Sequence, residues 1–358
     1  MGPARPLAHA PFIDPDLASA ELAGARVSAS VPPLRVRPSL RRRPWGGDRL
    51  VAYWPTGEAT LEPGTDPVGE AWLAGPDAIV ATGPAAGTAL SALARELGAD
   101  FVGAVPFATY GARMPLLVKL LDAAEPLSVQ VHPDDAYALR EEAASGHLGK
   151  TEAWWVLEAA PDAHVWWGFA RPVARDELER ALAAGIVLPL LRRLPACAGD
   201  VVVNPAGTVH ALGGGLIVYE VQQASDLTYR MDDHGRVGAD GRPRPLHAAR
   251  ALDVARRDPG AAPAPEPQPT GPGRTELART PAFVLERLDG GDGTAWHVGT
   301  GSLEVLTHVG GGPLEVRGDF GAAPLPVRST LVLSAGTGPV EVRGTGVAAR
   351  AWCPGARP

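Results

Sequence analysis

The stretch "GDVVVNPAGTVHAL" (residues 199–212) decides the fold. A run of β-branched residues predicts a strand, Pro205 and Gly207 predict a tight turn, and a returning strand then presents His210. A second stretch, "LSVQVHPDD" (127–135), alternates Leu127, Val129 and Val131 with Ser128, Gln130 and His132. That period of two belongs to a strand with two different faces, and Pro133 ends it. A surface strand would carry Lys, Glu or Thr on its polar side; this one carries a hydroxyl, an amide and an imidazole. In "GKTEAWWVLEA" (149–159) the same alternation puts Glu152, Trp154 and Val156 on one face. A lone strand histidine is more often a satisfied core residue than a ligand. Here Gln130, His132, Glu152 and His210 come from strands able to converge inside one barrel. Two imidazoles, a carboxylate and an amide suit zinc or another first-row divalent ion.

The chain has 358 residues, 45% of them hydrophobic, enough for two compact units or one large one with insertions. Its 43 glycines and 37 prolines favour many turns over long helices. No apolar run reaches the length of a membrane span, and the first residues lack a signal-peptide core. Two cysteines, Cys197 and Cys353, make neither a disulfide framework nor a thiolate metal site, so a cytoplasmic setting is expected. A net charge of −7 argues against nucleic acid but not against a small anionic substrate, which feels local cations. The Arg41–Arg43 cluster reads as a solvated strand edge before the "WGG" turn.

Along the chain, residues 1–32 read as a poorly ordered, Ala/Pro-rich extension. Residues 33–258 read as the metal-binding unit with helical insertions. Two helices are predicted there: 87–98, with Thr88 as N-cap and Gly98 as C-cap, and 174–185, ending at Gly185. Pro133-Asp134-Asp135 suits a helix start. Residues 259–274 read as a Pro-rich connector and 275–358 as a smaller all-strand unit. Most other periodic segments, such as "HVWWGF", "LIVYEVQQ" and "TLVLSAG", read as short strands between turns.

The spacing Gly199, Pro205, Gly207, His210 resembles the second motif of the cupin superfamily, whose histidine binds a metal. "PLLVKLLDAAEPLSVQVHPDDAYA" (115–138), "GKTEAWWVLEA", "PAGTVHALGGGLIVYEVQQASDLTYR" (205–230) and "GRPRPLHAARALDV" (241–254) together resemble the type I phosphomannose isomerases. "RRRPWGGDRL" (41–50) and "GEAWLAG" (69–75) resemble the N-terminal blocks of that family, in its compact bacterial branch. The resemblance implies a mainly β fold: a cupin (double-stranded β-helix) barrel with a few helices, plus a degenerate cupin-like unit at the C-terminus. In that last unit Ser334 and Pro339 stand where Pro205 and His210 stand in the first, so no second metal site is expected.

The resemblance also implies a zinc enzyme, one ion per chain, interconverting mannose 6-phosphate and fructose 6-phosphate through a cis-enediol. It makes His132, Glu152 and His210 metal ligands and Gln130 a fourth. Arg230, Lys150, Glu220 and Asp226 become catalytic candidates, and Lys119 and Ser128 substrate-binding ones. For each charged group the bland alternative is a surface salt bridge, and for Asp226 a turn residue. The partner is then a small sugar phosphate, not nucleic acid or a membrane, and oligomeric state is not legible. Two other readings of the constellation are a cupin-fold Fe(II) dioxygenase and a non-catalytic sugar-phosphate binding protein. Three cations beside the metal, Lys119, Lys150 and Arg230, speak against the oxygenase.

Overall fold

A computed structural model describes residues 31–237, 241–260, 264–291, 294–299 and 301–355. The expected N-terminal extension lies, but for its last two residues, outside the described residues. Two sheets face each other around the first core. One has seven strands, in the order 201–204, 152–159, 216–223, 116–123, 68–74, 39–42 and 60–61. The other has five, in the order 191–195, 164–169, 210–212, 129–131 and 229–232.

Side-chain alternation explains the layering. From the seven-stranded sheet Leu121, Trp154, Val156 and Val218 point inward, meeting Val165, Trp167 and Leu212 of the five-stranded sheet. The opposite set, including Val118, Leu120, Trp155 and Tyr219, packs on Phe283, Leu285, Val305 and Ala351 of the C-terminal unit. The central sheet is therefore covered on both faces, and "LLVKLLDA" reads as an almost unbroken apolar run. The outer face of the five-stranded sheet (Val129, Val131, Val209, Met231) is covered by the helices Arg175–Ala184 and Ala248–Val254 through Leu178, Leu182 and Leu252. Leu127 departs from its expected face: it packs with Trp45, Trp154 and Leu212 on the inner side. The strand is only Val129–Val131, and the backbone N–H of Leu127 is held by the Leu212 carbonyl instead.

Helix 175–184 ends at Gly185 with φ 66°, as read from the sequence. Asp134 caps the helix Asp135–Glu141, accepting the Tyr137 amide at 2.8 Å. The Thr88 cap is a correction: the helix runs Leu90–Leu97 with Ala89 at its N-cap. Thr88 is spent on a turn, its N–H on Ala85 and its carbonyl on Val80. The connector is also shorter than 259–274, because Gln268–Gly271 pairs as a strand with Arg274–Arg279.

The C-terminal strands form a ten-stranded sheet that takes in a piece of the chain's beginning. Leu34–Arg37 runs antiparallel to Thr330–Leu333, with Leu34 opposite Val332. No helix among the described residues is long and apolar enough to cross a membrane. His308 is buried, with its ring nitrogens 2.7 and 3.0 Å from the carbonyls of Leu325 and Gly310. His308→Ala is expected to cost about 1–3 kcal/mol of stability in denaturant unfolding, because a buried carbonyl loses its donor. Turnover of the folded fraction should stay near wild type, as should that of a variant at exposed His297.

Candidate active site

Each member of the donor set stands at a strand end. His132 follows Val129–Val131, Glu152 opens the strand Glu152–Ala159, and His210 opens His210–Leu212. The Pro205–Gly207 turn locks two of them together, since the Gly207 N–H donates to the His132 carbonyl at 2.8 Å. Gly207 has φ 87°, and a Cβ there would meet Val254 O at 3.0 Å, so the turn needs glycine. Among the described residues, one group of His, Cys, Asp and Glu has metal-site geometry. It is His132, Glu152 and His210, fully buried, with ligand atoms within 4.8 Å of one another.

The imidazoles are oriented for ligation. His132 Nδ1 donates to Leu227 O at 2.8 Å and His210 Nδ1 to Thr208 O at 2.8 Å. Carbonyls only accept, so both rings keep a lone pair on Nε2. His210 Nε2 is buried without a hydrogen-bond partner, 3.1 Å from Glu152 Oε1. Asn204, opposite Glu152 in the strand register, donates to that same oxygen at 3.2 Å. Burial and the Lys150 charge pull His132 down to about 3, which keeps its ring neutral. Burial opposes ionisation of Glu152, yet Lys150 and the two histidines hold its carboxyl well below the usual range. This donor set fits a divalent cation.

Lys150 joins the donor set to a cavity of about 430 Å³. Its ammonium lies 2.9 Å from Glu152 Oε2 and 3.3 Å from His132 Nε2. Burial disfavours that charge, but Glu152 and Glu220 outweigh it and raise the pKa. Lys119, Ser128, Gln130, Glu220, Asp226 and Arg230 line the same cavity, so it brings together all six non-metal candidates and the proposed fourth ligand. Glu220 is buried, 3.4 Å from Lys119, and accepts from Trp154 Nε1 at 2.9 Å. Burial and the neighbouring Glu152 charge push its carboxyl upward. Asp226, by contrast, is exposed. Gln130 pairs with His210 on one side and Arg230 on the other. Arg230 donates to Pro245 O at 2.9 Å, while its buried Nε has no partner. Burial and Arg244 lower its pKa.

Four further charged cavity residues escaped the sequence reading: Arg42, Arg43, Glu70 and Arg244. Arg43 bonds Glu70 at 2.8 Å, and Trp72 donates to the same carboxylate at 2.7 Å. Despite burial, Lys119 and Arg43 hold Glu70 down to about 2. The expected solvated edge at Arg41–Arg43 is thus corrected: Arg42 and Arg43 face a cavity, and Arg41 stacks 4.7 Å from the Trp72 ring. The one available signal was the strand "VGEAWLA", where Glu70 and Trp72 share a face.

The family model described as "Phosphomannose isomerase type I, catalytic domain" matches residues 34–150. The chain is 38% identical over 229 residues to mannose-6-phosphate isomerase of Streptococcus mutans, spanning 62% of this chain and 67% of that protein. It is 37% identical over 226 residues to mannose-6-phosphate isomerase ManA of Bacillus subtilis, with the same shares of each. Among solved structures, mannose 6-phosphate isomerase from Bacillus subtilis superposes with a TM-score of 0.77 at 29% identity, covering 90% of this chain and 99% of that one. A zinc-bound mannose 6-phosphate isomerase, at 18% identity and a TM-score of 0.72 over 90% of this chain and 100% of that one, shares the fold.

Proposed function

The chain belongs to the type I phosphomannose isomerase family, and we propose from that premise that it interconverts mannose 6-phosphate and fructose 6-phosphate. The observation that carries this reading is the junction at Lys150. A buried two-histidine, one-carboxylate donor set opens there onto a cavity walled by lysines, arginines and two buried carboxylates. A sugar phosphate needs both halves: donors for its hydroxyl and carbonyl oxygens, and cations for its phosphate. The direct test is fructose 6-phosphate formation from mannose 6-phosphate in a coupled assay. No turnover by metal-loaded protein would refute the proposal.

Zinc, one ion per chain, is the metal that His132, Glu152 and His210 would hold, with Gln130 as the fourth donor. When bound it supplies Lewis-acid polarisation and an anchor for the oxygens at C1 and C2. The chain's own residues carry the proton transfer. Isomerisation moves one proton from C2 to C1 and another from O2 to O1 through a cis-enediol. A single carboxyl able to hold and return the carbon proton suffices for the first, and the Lys150 ammonium can give a proton to O1 and regain one from O2. Glu220 has that character, being buried with its pKa raised. Asp226, being exposed, is less well placed to keep a proton from water. The Lys150 ammonium donates to substrate oxygen beside the donor set. Lys119 and Ser128, with Arg43 and Arg244 farther along the wall, offer donors to the phosphate.

Arg230 is proposed to stabilise the negative charge that grows on oxygen as the enediol forms. Arg230→Ala is expected to lower kcat on the order of 100- to 1,000-fold. Arg230→Lys should recover only part of this, because it keeps the charge but loses the planar fork. Zinc content should be unchanged in both. A raised KM with normal kcat would instead assign Arg230 to phosphate binding.

A further inference from the structure

A second cavity, of about 370 Å³, borders the segments 145–148 and 223–224 that lead to Lys150 and Asp226. Its walls come from the helix Leu90–Leu97, the crossover at 110–115 and the turn at 145–148; Gln223 and Ala224 also line it. The lining is apolar in its body, with Pro76, Met114 and Leu148, and cationic at its edge. The Arg95 side chain makes no hydrogen bond or ion pair among the described residues. Arg113 spends one N–H on Gly146 O at 2.8 Å and keeps the rest of its fork. His147 and the Tyr110 phenol complete a set of donors with no carboxylate in the lining.

We propose that this cavity is an effector site for a small phosphate-bearing metabolite with an apolar body, coupled to turnover through the 145–151 segment. The proposal rests on the isomerase reading for what is regulated, but not for the binding itself. The coupling path is short and stiff. Leu148, in the cavity lining, accepts from Ser225 Oγ at 2.6 Å, and Ser225 adjoins Asp226. Gln223, also in the lining, holds Thr151 through its side chain at 2.9 Å and its backbone N–H at 3.1 Å. Lys150 sits between these two attachments. Gly149 leaves no slack, since a Cβ there would lie 2.5 Å from the Asp134 backbone. A ligand drawing Arg95 and Arg113 together pulls on Gly146 and Leu148, and so on Lys150, whose ammonium meets Glu152 and His132.

Phenyl phosphate is a suitable probe, with an anionic head and an apolar body. Calorimetry on the zinc-loaded protein should find two molecules bound per chain, one in each cavity. Arg95→Ala and Arg113→Ala should each leave one. In kinetics, turnover at saturating mannose 6-phosphate should respond saturably to phenyl phosphate in the wild type and not in either variant, and without phenyl phosphate both variants should have the wild-type KM. One molecule or none bound by the wild type, or two still bound by both variants, would overturn the site. Two-site binding with purely competitive kinetics would overturn the coupling. If the protein does not isomerise mannose 6-phosphate, the binding count still decides the site, so the two failures are distinguishable.

Discussion

Chelation is expected to abolish isomerisation, and added zinc to restore it. The reason lies in the donor set itself. Both imidazoles have their Nδ1–H groups tied to backbone carbonyls, which leaves two buried Nε2 lone pairs facing the Glu152 carboxylate. An arrangement so thoroughly desolvated is stabilised by a cation. At free zinc 100-fold above Kd, binding should add about 2.7 kcal/mol to folding stability, read as a rise in Tm. His210→Ala should lose the metal and the activity together while the circular dichroism of the barrel persists. Without metal, the chain should be acid-sensitive. The depressed imidazole of His132 stabilises the fold above ~6.5, and that contribution is lost as pH falls toward about 3. Full activity in protein shown by elemental analysis to be metal-free would sink the proposed role of the ion.

The second large effect is expected at Glu220. Glu220→Gln preserves shape and can still accept from Trp154 Nε1, but it cannot carry a proton. Loss of a positioned acid–base group typically costs 10²- to 10⁴-fold, so kcat should fall by about that much while zinc content stays at one per chain. The wild-type kcat/KM profile should show an acid limb above the ordinary carboxylate range, since burial and Glu152 push Glu220 upward. That limb should disappear in the variant. Asp226→Asn is the control, expected to change kcat far less because that side chain is exposed. The reverse ranking of the two variants would move the proton carrier to Asp226.

Much of this site was legible in one dimension because strand alternation is local. Glu152, Trp154 and Val156 share a face for the same steric reason in any pleated strand, and "PAGTVH" encodes its own turn through Pro205 and Gly207. His132, Glu152 and His210 could therefore be singled out from three short stretches, whereas Lys119, Lys150 and Arg230 were named only through the family resemblance. Helix ends were legible where one residue makes the cap, as at Asp134 and Gly185. Thr88 was misread because its backbone is taken by a turn with Ala85 and Val80, which no local propensity announces.

Tertiary structure alone decided three things. It decided that Arg42 and Arg43 face a cavity: in sequence they look like any solvated basic cluster, and only the antiparallel pairing of strand 39–42 with strand 68–74 brings Glu70 to Arg43, while Arg42 is held by Glu62. It decided which of two carboxylates is shielded, since Glu220 lies in a strand covered by neighbours while Asp226 falls in the loop beyond it. And it brought the beginning of the chain into the C-terminal sheet, where Leu34–Arg37 pairs with a strand some 300 residues later. Local chemistry chooses which face a side chain takes and where the backbone turns. What that face meets depends on long-range pairing, and with it go burial, pKa and the identity of the partner charge.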